Sequence, residues 1–338
     1  MPVLSTGSAI LLMLLVTFMW GSWFQCVKRL KGFPIPGFLL LLYTFALIFV
    51  WLFVAILGPM GYIDGSIIAY ISEKKSLALT VLCSGAFMAL GLQMEMVVMK
   101  NIGLVLSMSI AASFSIITRT LISCFVGGVR EGFSVPLMIC AVVFLIFGAL
   151  CCKKSDRMRD EDVGLVKKEN YTDMSKSKNK YFIIMIINTI AFAPAAFFGT
   201  AIGARTDLRP DAFPPLLCVG ILATGSFIGT LICSSILLTK NKQWGYFVKK
   251  EYRFVYGLAA IAGFCHYIAS LLHTVFVIPS LSIAISGPMS SIQSLWTYFW
   301  GLMYGEFKGA KKRTAATLAL GIAGYMVGML FLAMNLYW

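Results

Sequence analysis

The sequence predicts an all-α membrane protein of ten transmembrane helices, and three observations predict it. Apolar residues make up 59% of the 338 positions and charged residues only 12%, against roughly 25% charged in an ordinary globular chain. Windows of about 20 apolar residues, the length that spans a hydrocarbon core, recur along almost the whole chain. The lysines and arginines between them concentrate on alternate connections. A soluble protein could not cover so much apolar surface with polar groups, whereas lipid is itself an apolar solvent.

Taken in order, the expected spans are 7–27, 36–57, 77–99, 102–126, 134–152, 181–203, 213–239, 254–275, 279–303 and 314–335. Pro36, Pro136, Pro214 and Pro279 stand where a helix can begin without losing an internal hydrogen bond. The first apolar run has no basic stretch before it and is followed by Lys28, Arg29 and Lys31. That suits a retained first helix and not a cleaved signal peptide.

Direction follows from charge. The connections after spans one, three, five, seven and nine carry 22 lysines and arginines. The opposite connections carry five, Lys74, Lys75, Arg130, Arg205 and Arg209, and Arg119 lies inside span four. Short basic loops stay in the cytoplasm, so the expected location is a plasma (cell inner) membrane with both termini on the non-cytoplasmic side. The one long charged stretch, 153–180, reads as a cytoplasmic linker between a first five-helix repeat (1–152) and a second (181–338). Its Asn170-Tyr171-Thr172 sequon should therefore stay unglycosylated.

The net charge of +14 sits in these short loops, which indicates contacts to membrane lipids and no nucleic-acid partner. The nine cysteines have no metal-ligand spacing. Cys83, Cys124, Cys140, Cys218, Cys233 and Cys265 fall inside apolar runs, where cysteine behaves as a small hydrophobe. Neither a disulfide framework, a metal nor a cofactor is expected.

The halves resemble each other weakly. Residues 113–133 can be laid over 288–308, matching Glu131 with Glu306, and Gly85 over Gly263, which pairs Glu95 with His273. Five spans per half is an odd number, so the second half enters the membrane upside down. Many secondary transporters are built as such inverted repeats, with a site near the midplane.

Two motifs add a resemblance. Trp20-Gly21-Ser22-Trp23-Phe24 with Lys28-Arg29-Leu30-Lys31 is similar to the first helix of the glucose/ribose porter and rhamnose symporter branches of the drug/metabolite transporter superfamily, and of ureide permeases. Gly301-Leu302-Met303-Tyr304-Gly305-Glu306 with Lys311-Lys312-Arg313 resembles the close of that superfamily's ninth helix. Gln25 and Cys26 stand where that first helix often carries proline. The resemblance implies a ten-helix carrier of small metabolites, often coupled to protons or sodium, working as a monomer or homodimer.

Polar residues inside spans are the informative ones, since a charge at a helix centre costs roughly 2.5–3.5 kcal/mol on insertion scales. Arg119 follows Gly103 by about 24 Å of helix and is read as a donor to a polar or anionic solute, or as a snorkelling arginine. Glu95, beside Gln93, has the chemistry of ion coupling; the alternative is a contact near the cytoplasmic helix end. His266 and His273 share one face of span eight, and imidazoles serve in proton relays. About 10 Å of helix separates them, too far to share a metal. Trp20, Trp23 and Trp296 can wall a pocket for a sugar or a planar heterocycle, or anchor the interface. Gln293 belongs to a polar stripe with Ser290, Ser291 and Thr297, and Asn188 supplies an amide in span six. Four GxxxG pairs, Gly199–Gly203, Gly225–Gly229, Gly301–Gly305 and Gly324–Gly328, read as helix-packing sites.

No Walker, GxSxG or HExxH motif is present. The expected function is a secondary active transporter of a small polar metabolite, a sugar or similar polyol, with proton or sodium coupling. A ureide or nucleobase-like solute is the alternative within that class. The rival from another class, a membrane-embedded lipid-handling protein or enzyme, would have to build its chemistry from Glu95, His266 and His273.

Overall fold

A computed structural model describes residues 3–102, 115–164 and 179–335. The chain is 83% helical with no strand among the described residues, and eight helices are long and apolar enough to cross a membrane. Large apolar side chains such as Leu11, Phe125, Ile139 and Leu330 point outward from the bundle. That outer surface marks a multi-pass membrane protein.

The helices are α1 (Thr6–Ser22, continued by a 3₁₀ turn over Trp23–Arg29), α2 (Ile35–Leu57), the short α3 (Ile67–Glu73) and α4 (Lys75–Ile102). After them come α5 (Ser115–Val126), α6 (Val135–Asp162), α7 (Asn179–Ile187), α8 (Ala195–Gly203) and α9 (Pro215–Lys240). The chain ends with α10 (Phe254–Leu272), α11 (Ile278–Leu281), α12 (Ile283–Met289), α13 (Gln293–Met303) and α14 (Lys312–Met334). Prolines open α2, α6 and α9 as expected, and Ser5, Ser66 and Ser134 cap α1, α3 and α6 by accepting from backbone N–H groups.

Three boundaries differ from expectation. The fourth expected span, 102–126, is described only as α5, because 103–114 lie outside the described residues. The ninth begins later: α10, the turn at His273–Val277 and α11 form one span through Pro279 to Leu281, and the chain turns at Ser282, whose φ is 67°. Residues 283–303 then form three helical pieces, with Pro288 just before the 3₁₀ turn at Ser290–Ile292. Residues 153–162, expected to open the linker, are helical. α6 continues through 153–162, held by Arg159 to Asp156 and Asp160 and by Arg157 to Glu161. Thr314 donates a hydrogen bond to Asp162. Charges spaced three and four apart stabilise a helix that hydropathy alone does not register. Residues 165–178, including Asn170, lie outside the described residues.

Two of the wide turns among the described residues lie where proline demands them. Proline lacks an N–H and clashes with the carbonyl four residues earlier. Pro194 is preceded by a π turn at Asn188–Phe192, and Pro279 by one at His273–Val277. Each turn contains the crowded carbonyl, that of Ile190 and of Val275. Such bulges are common at functional sites.

Small residues set the helix spacing. A Cβ on Gly225 would lie 1.9 Å from the Leu82 carbonyl oxygen, and Gly229 faces Ala86, so α9 packs backbone to backbone on α4. Gly199 and Gly203 meet Ser84 and Val81 of α4, while Gly324 and Gly328 meet Gly148 and Leu145 of α6. Three of the four GxxxG pairs are thus packing sites. The fourth is not: Gly305 lies past the end of α13 with φ 72°, in a turn where a side chain is strained.

Charged clusters close both ends of the bundle. At one end Glu306 pairs with Lys28 and, at 3.4 Å, with Arg159, while Tyr298 donates to Asp156 at 2.8 Å. At the other, Arg205 pairs with Asp64 at 2.7 Å and Arg130 with Asp207 at 3.3 Å, and Arg130 also donates to the Pro279 carbonyl. The Tyr70 hydroxyl and the Arg205 guanidinium hold the Asp64 carboxyl below its ordinary value. A lowered carboxyl pKa contributes stability at neutral pH that is lost as pH falls through the folded-state value, here below about 4. Wild type and Asp64→Asn should therefore differ slightly in Tm at pH 7, and the gap should close in acid. A gap that widens in acid would contradict this assignment.

Candidate functional site

One cavity of about 210 Å³ lies between the helices, and eight of the ten residues singled out from the sequence line it. They are Trp20, Trp23, Glu95, Arg119, Asn188, His266, His273 and Gln293. They come from α1, α4, α5, the turn after α7, α10 with the turn that follows it, and α13. At about 30 Å³ per liquid water, the space equals roughly seven waters and suits a solute of monosaccharide or amino-acid size.

The two bulges aim side chains inward. The turn at 188–192 brings Asn188 and Thr189 to the cavity, and the turn at 273–277 brings His273 and Thr274. Asn188 and His273 are buried, and Asn188 Oδ1 and His273 Nε2 have no partner among the described residues. Both ring nitrogens of His266, the Tyr43 hydroxyl and Arg119 Nε are also buried without one. Buried polar groups are normally hydrogen-bonded, and six of the thirteen such atoms among the described residues belong to side chains that line this cavity, which suits a polar occupant.

Aromatic rings form the apolar part of the wall. Trp20 donates from Nε1 to the His266 carbonyl at 3.1 Å and to Ser270 Oγ at 3.3 Å. Its ring stands edge-on to His273, 5.3 Å between centroids, and to Phe197. Trp23 stacks on Phe24 at 3.9 Å and faces His266 at 5.4 Å. Tyr43 meets the same imidazole at 5.9 Å with its ring perpendicular. Gly21 permits the α1–α13 approach beside these rings: a Cβ there would lie 2.4 Å from the Gln293 carbonyl oxygen.

Arg119 is fixed from two sides. It lies over Phe197, 4.9 Å from the ring centroid, and donates from NH1 to Ser290 Oγ at 3.2 Å. This is a cation–π contact, not snorkelling toward an interface. Glu95 and Arg119 are the only charged side chains lining the cavity among the described residues.

Gln93 and Trp296 are placed elsewhere. Gln93 is buried and donates from Nε2 to Ser234 Oγ at 2.7 Å, joining α4 to α9. It lies two residues from Glu95, about 200° around a helix, so only one of them faces the cavity. Trp296 donates to Thr17 Oγ1 at 3.1 Å and packs edge-on against Phe18. It holds α13 to α1 behind the cavity.

Tyr43, Phe197, Ser270 and Thr274 also line the cavity and were not singled out from the sequence. Tyr43 offered a signal as one of two hydroxyls, with Thr44, in an otherwise apolar span. The prolines offered another, because the residues five and six positions before Pro194 and Pro279 all face the cavity. Phe197 and Ser270 had no local signal.

No group of three or more histidine, cysteine, aspartate or glutamate side chains is arranged to hold a metal among the described residues. No protein-family model and no curated protein sequence matches the chain.

Proposed function

We propose that this chain is a secondary carrier of a small polar metabolite, built as two inverted five-helix repeats of the drug/metabolite transporter type. The observation that carries the reading is the convergence of intramembrane polar and aromatic residues on one cavity whose buried polar atoms lack protein partners. Lipid does not satisfy such groups; a polar solute does.

Packing supports the repeat. Gly85 of the first half lies against Leu222 and Ser226, and its expected counterpart Gly263 lies against Leu42 and Ala46. Helix α4 packs on α9 as α10 packs on α2, and α6 packs on α14. Exchanging the halves interchanges the α4–α9 and α10–α2 contacts and maps α6–α14 onto itself. Glu95 and His273, counterparts in the same alignment, both reach the cavity.

In this reading the ten helices place both termini on the non-cytoplasmic side of the plasma membrane. The ion pairs at the two ends of the bundle are the contacts that open in turn, the kind of bistable element that alternating access needs. Glu95, His273 and His266 are the candidates for coupling to protons or sodium. A sugar and a ureide both match the cavity in size.

Purified protein in proteoliposomes should take up its solute faster under an imposed proton or sodium gradient than without one. Flux that ignores both gradients would remove the coupling claim. The lack of any protein-dependent flux across sugars, ureides and amino acids would remove the carrier reading.

A further inference from the structure

Two opposite charges face this cavity, and they do not neutralise each other by contact. Arg119 makes no ion pair with a described residue: NH1 is taken by Ser290, which itself donates to the Gly287 carbonyl, and Phe197 covers one face of the guanidinium. The edge formed by Nε and NH2 has no acceptor among the described residues, and Nε is fully buried. That edge carries two parallel N–H donors, the geometry that binds a carboxylate bidentately. Glu95 accepts no hydrogen bond from a described residue, and among the described residues the one charge it interacts with is that of Arg119.

We propose that the transported solute is a small zwitterion, of amino-acid or betaine size, with its carboxylate on the free edge of Arg119 and its cationic end toward Glu95. The proposal rests on the carrier reading and specifies its substrate class. Pairing of the two charges decides between solutes. The site holds one positive and one negative group, so a simple anion or cation would pair one of them and leave the other opposed by nothing. A neutral sugar could hydrogen-bond to both yet would neutralise neither. A zwitterion pairs both at once, and the loaded site stays neutral, so the membrane potential does no work on the bound solute. The cavity volume of about 210 Å³ limits the solute to the smaller members of this class.

The test is thermal unfolding of the full-length protein in detergent with matched probes. Glycine, alanine, serine and glycine betaine represent the zwitterions, and acetate and lactate their anionic halves. Ethylamine and choline represent the cationic halves, with glucose, ribose and allantoin as neutral solutes. At least one zwitterion should raise Tm by several degrees while its half-molecules and the neutral solutes do not. Glu95→Gln should weaken zwitterion binding roughly tenfold or more and create binding of the anions. Arg119→Gln should do the converse for the cations. A purely structural role for either residue would not swap the preference in this way. If Arg119→Gln does not fold, Arg119→Lys keeps the charge but removes the two-donor edge, and it should still lose the zwitterion.

Silence from every zwitterion overturns the proposal. A shift produced by a sugar or by allantoin alone also overturns it, and leaves the carrier reading standing. Zwitterion binding with the predicted swaps, but no zwitterion flux in proteoliposomes, upholds the site and removes the carrier reading instead.

Discussion

His273→Gln is expected to abolish proton-driven accumulation while leaving exchange of solute across the membrane intact. Glutamine keeps a donor and an acceptor of similar reach but cannot take up a proton. His273 is buried on the wide turn at 273–277, its Nε2 has no protein partner, and its ring packs against Trp20 and Phe197. Little of the folded state depends on its charge. If one proton accompanies each solute, a gradient of one pH unit supports about tenfold accumulation, since 1.4 kcal/mol is a factor of ten. In the variant the ratio of internal to external solute should fall to about one, with counterflow retained. Unchanged accumulation would move the coupling role to Glu95 or His266.

Gly225→Val is expected to cost more stability than the same change at Gly220 or Gly229, the other glycines of α9. The added Cβ would lie 1.9 Å from the Leu82 carbonyl oxygen and within 3 Å of two further backbone atoms of Leu82. Backbone cannot rotate away as a side chain can, so α4 and α9 must separate. Overpacking of this kind typically costs about 1–3 kcal/mol, a large share of the roughly 5–15 kcal/mol that holds a typical protein folded. Gly257→Val is the control: nothing lies within 4 Å of a Cβ there. Thermal unfolding of the two variants in the same detergent should separate them clearly, and equal Tm values would refute the packing assignment. The separation also moves Glu95 on α4, so uptake by surviving Gly225→Val protein should fall as well.

The two expectations depend on different levels of structure, and so did their legibility in the sequence. Gly225 was recognisable as a packing residue because GxxxG spacing places two glycines on one helix face whatever the partner. Arg119, Glu95, His266 and His273 were recognisable because charged and titratable groups are rare inside apolar spans. Gln93 and Trp296 looked equivalent by the same criterion and were not, because the way a side chain faces depends on which neighbour its helix packs against. Gly305 failed as a packing residue for a related reason: the helix ends before it, in a turn that needs positive φ.

The sequence by itself determined that the chain lives in lipid, where its apolar segments lie and which few residues carry chemistry. Those properties follow from transfer free energies and helix periodicity, which act residue by residue. Only the tertiary structure decided that α1, α4, α5, α10 and α13 meet at one cavity, and that Phe197 and Ser290 clamp Arg119 with one donor edge left open. It alone paired α6 with α14 and turned Trp296 away. Such arrangements depend on contacts between residues up to hundreds of positions apart, and no local pattern in the chain encodes which distant surface a helix face will find.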